Sequence, residues 1–334
     1  MAPGNRKDPQ RSVASGSQYT LLEFIRDFPD DETCLVWLWN TRCATSNPSE
    51  AHCPRCEQIR EFKRYGTKQQ RQSWTCTACG LHIHPTAGTI FHKSSTGLHL
   101  WFYAMYLMTS TRCGISAKQL ERELGVTYKT AWRMFTLIRN ELMGPDEVRL
   151  SGAVEMDETY VGGKPRLEDK RQWANAPSRA VAAQNWSHEN KVGVFGMVER
   201  NKTETVDEVE TKTAGKIAAY VIPQKPQAVI VQHMANHVEG DTIIYTDDAR
   251  LYTRLAKDGW DHRTINHSAG VYVSGDIHTQ TIEGFWSLVK RGISGTHHAV
   301  SARLQGYVNE YVWRYNRDDS RSMFLSILLR AALD

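Results

Sequence analysis

Three acidic side chains stand in three settings that suit one metal site. They are Asp157 within Ala153-Val-Glu-Met-Asp-Glu-Thr-Tyr-Val161, Asp247 closing Thr242-Ile-Ile-Tyr-Thr-Asp247, and Glu283 in Thr281-Ile-Glu-Gly-Phe-Trp-Ser-Leu-Val-Lys-Arg291. Carboxylates gathered in one place repel unless divalent cations neutralise them, and hard oxygen ligands without cysteine or histidine select Mg2+ or Mn2+. Two such ions about 3.5–4 Å apart activate a water or a 3′-hydroxyl and stabilise the leaving oxygen of an in-line phosphoryl displacement. Each carboxylate alone is also what closes a strand or caps a helix, so the combination carries the argument. Glu155, Glu158 and Asp248 are acidic alternatives in the same stretches. The first two are assigned to the strand face opposite Asp157, whereas Asp248 competes directly with Asp247. Lys290 follows Glu283 by seven positions and shares its helix face, from which a lysine reaches a substrate phosphate; the competing reading is a solvated lysine.

A second cluster has a different chemistry. Cys53-Pro-Arg-Cys56 and Cys76-Thr-Ala-Cys79 are separated by nineteen residues, the spacing of a zinc ribbon in which four thiolates close a tetrahedron. A closed site is structural, so this zinc is assigned no catalysis. Tyr65-Gly-Thr67 and Gln72-Ser-Trp-Thr-Cys76 read as two strands of a small hairpin that needs the metal to hold it. His82 and His84 are close enough to serve as alternative ligands, although flanking polar histidines are the simpler reading, and Cys34, Cys43 and Cys113 fall outside any pair.

The elements that position these groups follow from periodicity. Thr96 to Ser110 is a densely apolar helix. Next, Gly114 to Met134 gives a Ser116-capped helix with Leu120 and Leu124, a turn at Gly125, and a second helix from about Thr127, the spacing of a helix-turn-helix. Tyr128, Lys129, Thr130 and Arg133 occupy the exposed start of that second helix, where side chains reach base edges or phosphates; the plainer alternative is a helical hairpin that only packs. From about Leu150 the pattern turns to strands: Val154–Val161, Val192–Val198 and Glu204–Glu210, then a helix over Ala214–Ile222, a buried strand ending at Asp247, and a short helix over Arg250–Asp258. This order predicts an α/β mixed sheet with helices on both faces. Phe285, Trp286, Leu288 and Val289 read as the buried side of the last catalytic-site helix.

Length and composition set the outer bounds. A chain of 334 residues with 40% apolar composition holds two or three domains. Its longest apolar runs fall short of the ~20 residues that cross a bilayer. The basic start, Met1 to Ser12, has no apolar segment behind it, so it reads as a disordered tail rather than a secretory signal. Paired cysteines of this kind fit a reducing cytoplasm. The net charge is only +4, but it is concentrated. Six basic residues oppose Glu57 and Glu61 between Cys53 and Cys79, and seven oppose Glu310, Asp318 and Asp319 between Gly284 and Arg330.

The motifs Glu155-Met-Asp-Glu-Thr-Tyr-Val-Gly-Gly-Lys164, Tyr245-Thr-Asp247, Ile282-Glu-Gly-Phe-Trp-Ser-Leu-Val-Lys-Arg-Gly-Ile-Ser-Gly-Thr-His-His298 and Tyr311-Val-Trp-Arg-Tyr-Asn-Arg317 resemble the ISXO-like group of bacterial insertion-sequence transposases, related to the Merlin elements of eukaryotes. The likeness covers nearly all of the chain beyond residue 50. It implies an RNase H-like catalytic domain with a DDE site in which Asp157, Asp247 and Glu283 hold two Mg2+ (or Mn2+) ions and Lys290 accompanies them. Arg291 and His298, at and just beyond the end of the helix of Glu283, are candidate DNA contacts, with a plain surface loop as the competing reading for His298. The usual Thr-Asp-Glu of the second motif is here Thr246-Asp-Asp248. The resemblance further implies double-stranded DNA as partner, both terminal inverted repeats and target, a homodimer or higher multimer, and a bacterial, nucleoid-associated setting. The expected organisation is a disordered tail at 1–17, a small helical element at 18–50, the zinc ribbon at 51–92, the helix-turn-helix-like segment at 93–148 and the catalytic domain at 149–334. Two other classes stay open: a DNA-binding regulator that does not cut, and a nuclease of the same chemistry without strand transfer.

Overall fold

The computed structural model describes residues 18–66, 73–162, 191–206, 209–213, 215–223, 227–247, 252, 255–265, 279–297, 303–317 and 320–333. The expected tail at 1–17, His298, Asp248, Lys164 and four of the nine residues of the helix expected at Arg250–Asp258 lie outside them. The chain divides into two compact units, one of Met1–Arg112, Ala117–Ile138 and Asp318–Asp334, the other of Cys113–Ser116 and Arg139–Arg317.

The first unit opens with helices α1 (Leu21–Asp27) and α2 (Asp31–Arg42). Thr20 and Glu23 close a reciprocal capping box on α1, and Asp30 caps α2, so both starts satisfy backbone donors that a helix leaves over. Four antiparallel strands follow in sequence order: β1 (Glu50–Cys53), β2 (Gln58–Tyr65), β3 (Ser73–Cys76) and β4 (His82–Ile83). They lean on α2 through Trp39, whose ring stacks on Trp74 with centroids 4.5 Å apart. Helices α3 (Leu98–Ser110), α4 (Ala117–Leu124) and α5 (Tyr128–Leu137) come next. Gly125, at φ +63°, makes the tight turn between α4 and α5, and the Thr127 hydroxyl accepts the Thr130 N–H to cap α5.

The second unit is built on a five-stranded sheet of β5 (Ala153–Val161), β6 (Val192–Glu199), β9 (Ile217–Ile222), β10 (Ile243–Asp247) and β11 (Asp261–Ile265). Across the sheet the order is β11-β10-β5-β6-β9. Strands β5, β6 and β9 run antiparallel in succession, whereas β10 lies parallel to both β5 and β11. The parallel return needs a crossover, which α6 (Gln227–His237) supplies. One sheet face, with Val154, Met156, Phe195 and Met197, packs on Ile230 and Met234 of α6. Helices α7 (Gln280–Gly292) and α8 (Leu304–Tyr315) also pack on the sheet, α7 on β5 and β6 and α8 on β9. The open edge of β9 is closed by side chains of this same unit. Gln305 Oε1 accepts the Val221 N–H at 2.7 Å, and Asn316 both accepts from Ile217 N–H at 2.7 Å and donates to its carbonyl at 2.9 Å.

The mixed α/β expectation holds for this unit, with three differences in detail. The segment expected as a helix, Ala214–Ile222, is strand β9 from Ile217 onwards. Its β-branched and aromatic residues pair with β6, and that packing overrides the helical tendency of Ala218 and Ala219. The single strand expected at Glu204–Glu210 is a separate hairpin, β7 (Lys202–Val206) with β8 (Val209–Thr213). Finally, α9 (Ser320–Leu333), expected with the catalytic domain, belongs to the first unit: its buried Phe324 stacks on Tyr19 at 4.8 Å, and the helix packs on α2 and α3.

Candidate active site and metal centres

Strand register brings the first two acids together. Tyr245 of β10 lies opposite Glu155 of β5, and carrying that parallel register two residues further sets Asp247 beside Asp157. Glu283 enters from the first turn of α7, the helix that packs on β5 and β6. A cleft of about 410 Å³ is lined by Asp157, Glu158, Glu283, Trp286, Ser287, Lys290 and Arg291. Asp157 is half-buried, whereas Glu283, Lys290 and Arg291 are exposed.

Electrostatics follow from this crowding. Burial, and then the Asp247 carboxylate with a smaller push from Glu283, raises Asp157 to about 6, although the Glu158 N–H and the Trp286 indole oppose the shift. Burial, opposed by the neighbouring Tyr252 hydroxyl and reinforced by Asp157 and Asp247, raises Glu158 to about 7. Trp286 Nε1 donates to Asp157 Oδ2 at 3.0 Å, and Thr279 Oγ1 donates to Glu283 Oε1 at 3.1 Å. A carboxylate group that raises its own members towards neutrality is one that a divalent cation would relieve, and its hard oxygens suit Mg2+ or Mn2+. The carboxylate oxygens of Asp157, Asp247 and Glu283 do not all lie within 4.8 Å of one another. Among the described residues, the cysteine quartet is where four ligand atoms lie within 4.8 Å of one another.

That quartet is Cys53, Cys56, Cys76 and Cys79. Cys53 Sγ and Cys79 Sγ are 3.6 Å apart. Against the pull of burial, the backbone N–H groups of Cys56 and Arg55 bring the Cys53 thiol down to about 7, which favours the thiolate that zinc requires. The cluster is compatible with a zinc ribbon. His82 is engaged elsewhere, with Nδ1 2.8 Å from Thr75 Oγ1, and neither it nor His84 joins the quartet.

Of the helix-turn-helix candidates, Tyr128, Lys129 and Arg133 are exposed on α5, while Thr130 is half-buried and shares in the Thr127 cap. Arg133 reaches over the Trp101 ring at 5.7 Å.

Two residues of the site depart from the expectation of the sequence. Glu155 does not face away from Asp157; a strand repeats every two residues, so 155 and 157 share a face. Glu155 is fully buried and accepts hydrogen bonds from Thr281 N–H at 2.8 Å, Ile282 N–H at 3.1 Å and Thr281 Oγ1 at 3.0 Å. Those bonds, with Arg200 Nε at 2.8 Å, occupy the group and leave it unsuited to be a metal ligand. Trp286, read as buried packing, is buried but also polar in its use: its ring fills the space over Gly196 while its N–H holds Asp157.

Comparison with known proteins identifies the class to which this α/β unit belongs. The ISXO2-like transposase domain matches residues 149–316. A Halobacterium salinarum protein, described as an uncharacterized protein in transposable element ISH50, is 30% identical over 267 residues, 79% of this chain and 84% of its own length. An uncharacterized transposase-like protein of Haemophilus influenzae is 28% identical over 113 residues, 34% of this chain and 90% of its own length. The chain belongs to the ISXO2-like transposase family. Family membership implies a DNA substrate and the use of divalent metal. No helix among the described residues is long and apolar enough to cross a membrane.

Proposed function

We propose that the chain is a DDE transposase with an RNase H-like catalytic domain, which binds the terminal inverted repeats of its own element, cleaves the ends and joins the 3′-hydroxyls to target DNA. The observation that carries this reading is the placement of Asp157 and Asp247 on paired parallel strands, with Asp157 and Glu283 of α7 lining one cleft. The strand order, three antiparallel strands followed by two parallel ones on the far side of the first, supports the RNase H-like assignment. Asp157, Asp247 and Glu283 are the residues that would hold two Mg2+ (or Mn2+) ions, which when bound supply activation of the attacking hydroxyl and stabilisation of the leaving oxygen.

The chain's own residues account for the rest. Trp286 fixes the rotamer of Asp157, and Thr279 that of Glu283. Lys290 and Arg291, seven and eight positions beyond Glu283 on the cleft wall, offer positive charge to the phosphates flanking the scissile bond. Zinc on Cys53, Cys56, Cys76 and Cys79 would be structural. Tyr128, Lys129, Thr130 and Arg133 would meet the repeat DNA, with His298 as a further contact. A homodimer or higher multimer is needed because two ends are paired, and the protein would work in the bacterial cytoplasm at the nucleoid.

The test is incubation of purified protein with labelled element ends and Mg2+, comparing wild type with Glu283→Gln. Cleavage and joining by wild type alone are expected. Cleavage without joining would reduce the reading to a nuclease, and binding without cutting in both proteins would reduce it to a regulator.

A further inference from the structure

Each of the three acids has a neighbour two positions upstream that is tied to the others. Glu155 precedes Asp157, Tyr245 precedes Asp247 and Thr281 precedes Glu283. Glu155 and Tyr245 are directly paired across β5 and β10. Glu155 takes two of the N–H groups in the first turn of α7, those of Thr281 and Ile282, together with the Thr281 hydroxyl. Arg200, at the end of β6, donates Nε to the same carboxylate, and its guanidinium lies 3.9 Å from the centre of the Tyr245 ring. One buried carboxylate thus connects the two strands and the helix that carry the acids.

We propose that Glu155, Arg200 and Thr281 form a positioning layer behind the acids, whose task is to hold α7 in register with β5 so that Glu283 meets Asp157 at the separation the chemistry requires. The inference rests on the function proposed above and adds to it residues that touch neither metal nor DNA. Three physical points support it. A fully buried carboxylate is retained at a cost unless every lone pair is used, and here Oε1 and Oε2 each accept two bonds. Negative charge at a helix start satisfies unpaired N–H groups and meets the positive end of the helix dipole, so the bond is directional. Lastly, α7 is pinned at two places that bracket Glu283. One pin is Glu155 at residues 281 and 282, and the other is Trp286, whose N–H holds Asp157 while its ring lies where a side chain at Gly196 would be. Apolar packing alone lets a helix slide on a sheet, whereas two polar pins fix both its height and its rotation.

The experiment compares Glu155→Gln, Thr281→Val and Thr281→Ser with wild type, all as full chains. Single-turnover cleavage of labelled ends is measured at saturating DNA, end affinity by titration, Mn2+ binding by electron paramagnetic resonance, and folding by thermal melting. A misplacement of about 1 Å costs on the order of 10²-fold in rate. Glu155→Gln is therefore expected to slow cleavage by about that factor while binding DNA as wild type does, and to weaken Mn2+ binding. Thr281→Val should slow cleavage to a lesser extent, with Thr281→Ser restoring it because the hydroxyl donor is kept. Wild-type rates in both Glu155→Gln and Thr281→Val would overturn the proposal. So would equal losses in Thr281→Ser and Thr281→Val, or losses of cleavage matched by losses of DNA affinity and melting temperature, which mark a merely structural role. If Glu155→Gln fails to fold, the Thr281 pair decides. If wild type binds Mn2+ but does not cleave, the transposase reading fails while the Mn2+ comparison still judges the positioning layer; if it does neither, both fall.

Discussion

The least comfortable group in the cleft is Glu158, and its discomfort makes a measurable prediction. Burial, with Asp157 and Asp247 nearby, raises it from 4.5 to about 7. The folded state therefore binds this proton more tightly than the unfolded chain. The resulting stability is fully present below pH 4.5 and is lost as the pH rises through about 7. At about 1.4 kcal/mol for each tenfold change in proton affinity, the loss is at most about 3 kcal/mol. Because the side chain is half-buried and water relaxes around the ionised form, about 1–3 kcal/mol is the expected range. Glu158→Gln removes the titration and keeps the shape. In urea unfolding without added divalent metal, the variant should come within about 1 kcal/mol of wild type near pH 5 and exceed its stability by the full amount at pH 8. Added Mg2+ at pH 8 should narrow the gap, since cation binding lowers the cost of crowded carboxylates. A difference between the two proteins that does not change from pH 5 to pH 8 would refute the reasoning, for it would mean that Glu158 ionises in the fold as freely as in the unfolded chain.

Two further outcomes are expected. Glu310, fully buried on α8, is paired with Arg314 at 2.8 Å and with Arg139 at 3.2 Å; burial works against its ionisation, but Arg314, Arg139 and His297 outweigh it and hold the carboxyl below its usual range. Glu310→Gln leaves two guanidinium groups facing a neutral amide and should destabilise the second unit by about 3–5 kcal/mol, read by urea unfolding. Cys76→Ser should abolish stoichiometric zinc, measured by atomic absorption, and loosen β1 to β4, seen as faster hydrogen exchange over residues 50–65, because so small a sheet depends on its metal. Unchanged zinc content in that variant would remove Cys76 from the ligand set.

The sequence exposes chemistry wherever it is written in residue type and local spacing. Two Cys-x-x-Cys pairs announce a quartet because each pair is confined to one turn, and a Gly125 turn between two amphipathic stretches announces paired helices. Asp157 within one apolar strand, Asp247 closing another and Glu283 in the first turn of a helix stand out for the same reason. What the sequence conceals is set by long-range pairing. The run around Ala218 and Ala219 reads as helix until β6 and the side chains of Gln305 and Asn316 flank it, and these lie about 25 and 85 to 100 residues away in the chain. The last helix reads as part of the catalytic domain until Phe324 meets Tyr19, the first described aromatic of the chain. Glu155 shows both sides of the distinction. Its place on the face of Asp157 follows from a strand period of two, so that part was open to inspection. Its partners were not, because Thr281 lies 126 residues away and only the parallel register of β5 with β10, together with the packing of α7, makes that contact. A carboxylate that looks from the sequence like a spare metal ligand is, once its donors are counted, fully spent in holding the helix that brings Glu283 to the cleft.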